Sequence, residues 1–219
     1  MKARLLLSAL LAASLGGIHP AHAQSEVQIE DRVDVLLVDR RLIAVNATGQ
    51  SVAELVLELG EEVVASGSQG RLGVASTTTR LLGIRTGDTG WTELRYRVSE
   101  RKSPPERLHL EDRIALVTLP MRVVALTGSS RGWLELGLSP GERVERVLSD
   151  TNLAVVVTPR RAIAISDGSG FVEIGLGPRE HIENTSARSS SISLVTERRV
   201  LVFRAGSAFW VEVPREDKP

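Results

Sequence analysis

The chain has 219 residues, with 27 Lys and Arg against 27 Asp and Glu, three Trp, three Phe, one Tyr and no Cys. An even charge balance without a Lys/Arg block leaves no electrostatic footprint for nucleic acid. The lack of cysteine excludes a disulfide framework and a lipid-modified cysteine, so the fold must be held by its core alone.

Residues 1–23 have the form of an export signal. Lys2 and Arg4 make the charged start, LLLSALLAASLGG a short apolar stretch, and Ala21-His22-Ala23 a small-residue cleavage site before Gln24. The apolar stretch is too short for a membrane span. Removing the signal leaves residues 24–219, which are expected to form one exported domain, periplasmic or secreted. A short strand, Val27 to Ile29, opens this remainder.

From there the chain repeats. RLIAV from Arg41, RLLGI from Arg80, RVVAL from Arg122, RAIAI from Arg161 and RVLVF from Arg199 each read as a strand, and each is followed by a turn rich in Gly, Ser, Asn or Thr. A second strand then carries Glu54, Glu93, Glu135, Glu173 or Glu212. The Arg-to-Glu separation is 13 residues in four copies and 12 in the fourth, and the glutamates recur after 39, 42, 38 and 39 positions. An apolar strand precedes each Arg, and a shorter strand follows the Glu strand in the first four copies (EVVA at 62, LHL at 108, RVERV at 143, HIE at 181).

Four short strands in each period resemble one blade of a β-propeller. The resemblance covers residues 26–214 and implies an all-β, five-bladed β-propeller of four-stranded antiparallel blades. The repeats fall near 34–65, 72–110, 114–147, 153–184 and 192–214. The fifth copy has no fourth strand, so strand 27–29 is expected to complete it and close the ring. The Arg and Glu strands are apolar on both faces, which requires each sheet to be covered on both sides, as neighbouring blades would do.

Pairing Ile165 with Val172 sets Glu173 opposite Ala164, and likewise Glu54 by Ala44, Glu93 by Gly83, Glu135 by Ala125 and Glu212 by Val202. On the glutamate face, two positions earlier, stand Val52, Trp91, Trp133, Phe171 and Trp210. This register points Arg41, Arg80, Arg122, Arg161 and Arg199 to the opposite face, against the glutamate of an adjoining blade. Repetition at mid-strand favours structural cement. The sharper reading is five equivalent sugar pockets, since an aromatic ring beside a carboxylate suits a sugar.

Chemistry has few candidates. His109 and His181 fall on outer strands of different blades, and no catalytic set, metal site or cofactor is expected. Asp150-Thr151-Asn152 lacks the full acidic pattern of a calcium loop. Arg85, Asp88, Arg131, Asp150, Asn152, Asp167 and Arg204 gather in loops at one end of the ring and are the candidate ligand or partner face. The other end gathers Arg40, Arg160, Arg198 and the Ser99–Arg107 insertion, where Pro104-Pro105 prevents ladder pairing. These features favour a non-catalytic, monomeric module that binds a protein partner. A carbohydrate-binding propeller and a glycosidase-like enzyme are the alternatives.

Overall fold

Turns of two to six residues join neighbouring strands within a sheet, and linkers of six residues or more carry the chain from one sheet to the next. The computed structural model describes residues 31–47, 51–188 and 190–215. The first sheet holds β1 (Val33–Val38), β2 (Arg41–Asn46) and β3 (Val52–Val56). The second holds β4 (Val63–Gln69), β5 (Leu72–Thr77), β6 (Arg80–Arg85) and β7 (Thr92–Arg95). The third holds β8 (His109–Leu110), β9 (Ile114–Leu119), β10 (Arg122–Thr127) and β11 (Leu134–Gly137). In the fourth lie β12 (Arg146–Asp150), β13 (Leu153–Val157), β14 (Arg161–Ser166) and β15 (Val172–Gly175). The fifth is β16 (Ile182–Arg188), β17 (Ser191–Thr196), β18 (Arg199–Arg204) and β19 (Val211–Pro214). Every pairing is antiparallel, between strands adjacent in sequence.

The strand that follows each glutamate strand opens the next sheet. β4 pairs with β5, Gln69 opposite Leu72, across the tight turn at Gly70-Arg71, and it does not pair with β3. A hairpin turn this short forces pairing, whereas residues 57–62 leave room to change sheets. The grouping read from the sequence, with EVVA at 62 as a fourth strand of the first copy, is therefore displaced by one strand. The fifth sheet consequently has four strands of its own, and the first sheet has three among the described residues. The expected closing strand, 27–29, and the signal, 1–23, lie outside the described residues.

Register is also displaced by one residue from the sequence reading. Glu54 pairs with Ile43, Glu93 with Leu82, Glu135 with Val124, Glu173 with Ile163 and Glu212 with Leu201. Because side chains alternate, a slip of one residue exchanges the two faces. The arginine and glutamate of each copy therefore share a face of one sheet, which corrects the expected opposition across blades.

The sheets pack face to face in chain order, and each junction has its own apolar cluster. Leu42, Leu57, Ala75 and Leu82 join the first to the second; Leu72, Val74, Ala115 and Leu126 the second to the third. Leu116, Ala125, Val156 and Ile163 join the third to the fourth, and Val155, Ala164, Leu201 and Phe203 the fourth to the fifth. β13 and β14 in the fourth sheet are buried on both faces. Gly83 permits close approach at the second junction: a Cβ there would stand 2.5 Å from Leu126 Cδ2 and 3.0 Å from the Trp133 ring.

Among the described residues, the two end sheets are covered on one side only. In the first, Leu42, Ala44 and Ala53 face the second sheet and are buried, while Leu36, Val38, Val52 and Val56 on the other face are exposed. In the fifth, Ile192, Leu194, Leu201 and Phe203 are buried against the fourth sheet, while Val211 and Val213 on the far face are exposed. Among the described residues, the first and fifth sheets share no substantial contact.

Candidate functional site

Each interior arginine is the centre of a charged bracket. Arg80 donates from Nε and Nη2 to the two carboxylate oxygens of Glu61, at 2.8 and 2.7 Å, and from Nη1 to Glu93 at 2.7 Å. Arg122 does the same with Glu100, at 2.9 and 2.6 Å, and with Glu135 at 2.5 Å. Arg161 grips Glu142 through two bonds of 2.8 Å and also bonds Glu173. Arg199 grips Glu180 through two bonds of 2.9 Å and also bonds Glu212. The planar guanidinium fork suits this paired geometry.

The second carboxylate comes from the linker before the sheet, so the bracket ties one sheet to the next. Arg122, Arg161 and Arg199 extend the tie by donating to the carbonyls of Arg95, Gly137 and Gly175 in the preceding outer strand. Each linker glutamate also accepts the backbone N–H three residues earlier: Glu58 to Glu61, Arg97 to Glu100, Ser139 to Glu142 and Gly177 to Glu180. Thr77, Thr158 and Thr196 donate to Glu61, Glu142 and Glu180 and also cap the hairpin that presents the arginine.

Electrostatics follow this geometry. Burial pushes the carboxyls of Glu61 and Glu142 up, but hydrogen bonds from arginine, threonine and backbone together outweigh it and bring both to about 2. For Glu180 the bond from Arg199 leads, against burial, and the carboxyl again lies at about 2. These groups stay ionised and committed to the fold.

The linker glutamates were not singled out in the sequence, although a signal was present. Each stands seven residues after the strand glutamate: Glu54 to Glu61, Glu93 to Glu100, Glu135 to Glu142, Glu173 to Glu180. Glu100 lies within the Ser99–Arg107 insertion, so that loop begins with a buried structural carboxylate in a short 3-10 turn, Glu100–Lys102.

The aromatic residues belong to the same junctions. Trp91, Trp133 and Trp210 donate Nε1–H to the carbonyls of Ala53, Thr92 and Val172 in the preceding sheet, at 3.3, 3.3 and 3.2 Å. Phe171 takes this position in the fourth sheet without a donor, and Val52 takes it on the uncovered face of the first. The first copy differs in its bracket as well. Arg41 meets Glu54 at 3.6 Å, and both side chains are more than half exposed, against 5% for Arg80.

The candidate partner face is divided among separate contacts. Arg85 pairs with Asp88 inside one turn, and Arg113 pairs with Asp167, whose other oxygen accepts the Ser129 N–H. Asp150 accepts from Thr151, and Arg131 and Arg204 are exposed. Asn152 keeps a buried side-chain oxygen without a partner among the described residues. At the opposite end, a cavity of about 250 Å³ opens between the fourth and fifth sheets, with Glu145, Arg146, Arg179 and His181 among its lining. His109 lies elsewhere, in β8, where burial and then Arg107 lower its pKa.

No protein-family model and no curated protein sequence matches the chain. Solved structures of β-propeller proteins do. Prp20p from Saccharomyces cerevisiae is 10% identical, with a TM-score of 0.42 over 79% of this chain and 55% of that one. BamB from Moraxella catarrhalis is 12% identical, with a TM-score of 0.36 over 78% of this chain and 60% of that one. AztD from Citrobacter koseri is 14% identical, with a TM-score of 0.39 over 85% of this chain and 61% of that one. The repeated antiparallel sheets have the form of propeller blades, and five of them stack in chain order among the described residues. The match takes in little more than half the length of these structures.

Proposed function

We propose that the chain is an exported, non-catalytic binding module that works through protein–protein contacts. The observation that carries this reading is the pair of apolar sheet faces that no described residue covers at the two ends of the stack, with Val52 56% and Val213 51% exposed. Apolar surface gathered on a sheet face marks an interaction site more often than scattered exposed side chains do. The brackets support the same reading, because Glu61, Glu142 and Glu180 are held ionised by structural partners and are not poised to exchange protons. The aromatic rings that a sugar pocket would need are engaged between sheets. Export rests on the signal pattern at residues 1–23, and among the described residues no helix is long and apolar enough to cross a membrane.

A photo-crosslinking residue placed at Val52 or Val213 tests the reading in an extract of the cell envelope. Covalent protein adducts from these faces, and none from Arg131 at the loop end, are expected. Adducts from Arg131 alone would remove the end faces as the binding surface.

A further inference from the structure

The four internal junctions follow one pattern. The face of a sheet bearing the arginine, glutamate and aromatic positions meets the opposite face of the sheet before it. By repeat position, the uncovered face of the first sheet is of the first kind, with Leu36, Ile43, Val45 and Val52 beside Arg41 and Glu54. The uncovered face of the fifth is of the receiving kind. Its Val200, Val202, Val211 and Val213 stand where Ala162, Ala164, Val172 and Ile174 of the fourth sheet receive Leu201, Phe203 and Trp210.

The two uncovered faces are therefore complements. They lie on the two end sheets of the stack, which make no substantial contact with one another among the described residues. Arg41 supports the match. It has only Glu54 as an ionic partner among the described residues, whereas Arg161 and Arg199 also bond carbonyls of the sheet before them. The position that Gly175 occupies for Arg199 is taken in the fifth sheet by Pro214, whose backbone retains a carbonyl.

We propose that a second copy of this chain seats its first sheet on the fifth sheet of its neighbour, head to tail, in the register of the internal junctions. This rests on the binding-module reading and names the partner. Continuity with the internal junctions selects a second copy, since it carries both the face to be covered and its complement. The contact is heterologous, so two copies can satisfy both pairs of faces or a longer row can form.

The purified full chain tests this without any other protein. Val52 and Val211 correspond to Trp210 and Val172, which touch at the internal junction, and the chain has no cysteine of its own. Val52→Cys and Val211→Cys are prepared separately, mixed and mildly oxidised. A disulfide-linked dimer is expected in the mixture, roughly tenfold above either variant alone, because a heterologous contact brings unlike positions together. Sedimentation is expected to show concentration-dependent association. Val52→Glu and Val213→Glu should each weaken it by roughly tenfold or more, since each buries an unpaired charge at the contact. Circular dichroism should be unchanged, because both positions are exposed.

A monomeric wild type at every concentration, with no mixed dimer, would overturn the proposal. An internal disulfide formed within one dilute chain carrying both cysteines would overturn it as well, because the faces would then meet in one molecule. A monomeric purified chain whose end faces still crosslink to another protein in extract would end this proposal and leave the binding-module reading in place.

Discussion

Linker and strand glutamates do unequal work. Glu61 is buried and holds both Arg80 and the turn that presents it, whereas Glu54 lies half exposed beside Arg41. Glu61→Gln leaves Arg80 short of a partner in a desolvated site and is expected to cost about 3 to 5 kcal/mol. Glu54→Gln should cost under about 1 kcal/mol. Urea titrations followed by Trp fluorescence measure both. Acid reaches the same groups. The folded carboxyls of Glu61, Glu142 and Glu180 lie at about 2, below the unfolded value of about 4.3. Between those limits the unfolded chain binds protons that the folded chain refuses, so protonation favours unfolding. Stability from these groups is complete above about pH 5 and is lost as pH falls toward about 2. A urea midpoint that stays level from about pH 6 to about pH 2.5 would contradict the brackets. The seven-residue glutamate spacing was legible in the sequence. Its meaning was not, because spacing alone does not say which sheet a linker side chain turns toward.

Close packing of one sheet on another makes particular glycines unequal. At Gly83 an added methyl meets Leu126 and Trp133, both held in the junction, whereas at Gly175 nothing lies within 4 Å. Gly83→Ala is expected to destabilise by about 1 to 3 kcal/mol through overpacking. Gly175→Ala should be neutral or slightly stabilising, since its backbone is not left-handed and the unfolded chain loses freedom. Thermal melts of the two variants check the contrast. Strand positions were legible from alternation. Their pairing was less so, because the fifth sheet and the first exchanged their apparent shortage once β4 proved to belong with β5.

Coverage sets a gradient of stability across the stack. The second, third and fourth sheets are packed on both sides, and the first and fifth on one among the described residues. Hydrogen exchange in the purified protein at low concentration is expected to be slowest in β5, β6, β9, β10, β13 and β14 and fastest in β1, β3 and β19. Local opening is easiest where few apolar contacts must break. Equal protection in all five sheets would show that the end faces are covered. At higher concentration, docking of a second copy should slow exchange in the end sheets alone.

Period and alternation were enough to reach an all-β array of five repeating sheets packed face to face. An apolar pattern on both strand faces has no other way to be buried without helices. The same pattern concealed the register, since sliding a strand by one residue exchanges two apolar faces at little local cost. Hairpin length and the linker carboxylates resolved it, and both act only once the sheets are stacked. Val213 reads in sequence like its interior counterparts Ile174 and Leu136, and Val52 is as apolar as the aromatic residues at its position in the other copies. Their exposure is a property of what lies beside them, and a residue's neighbours across a junction belong to the assembled fold.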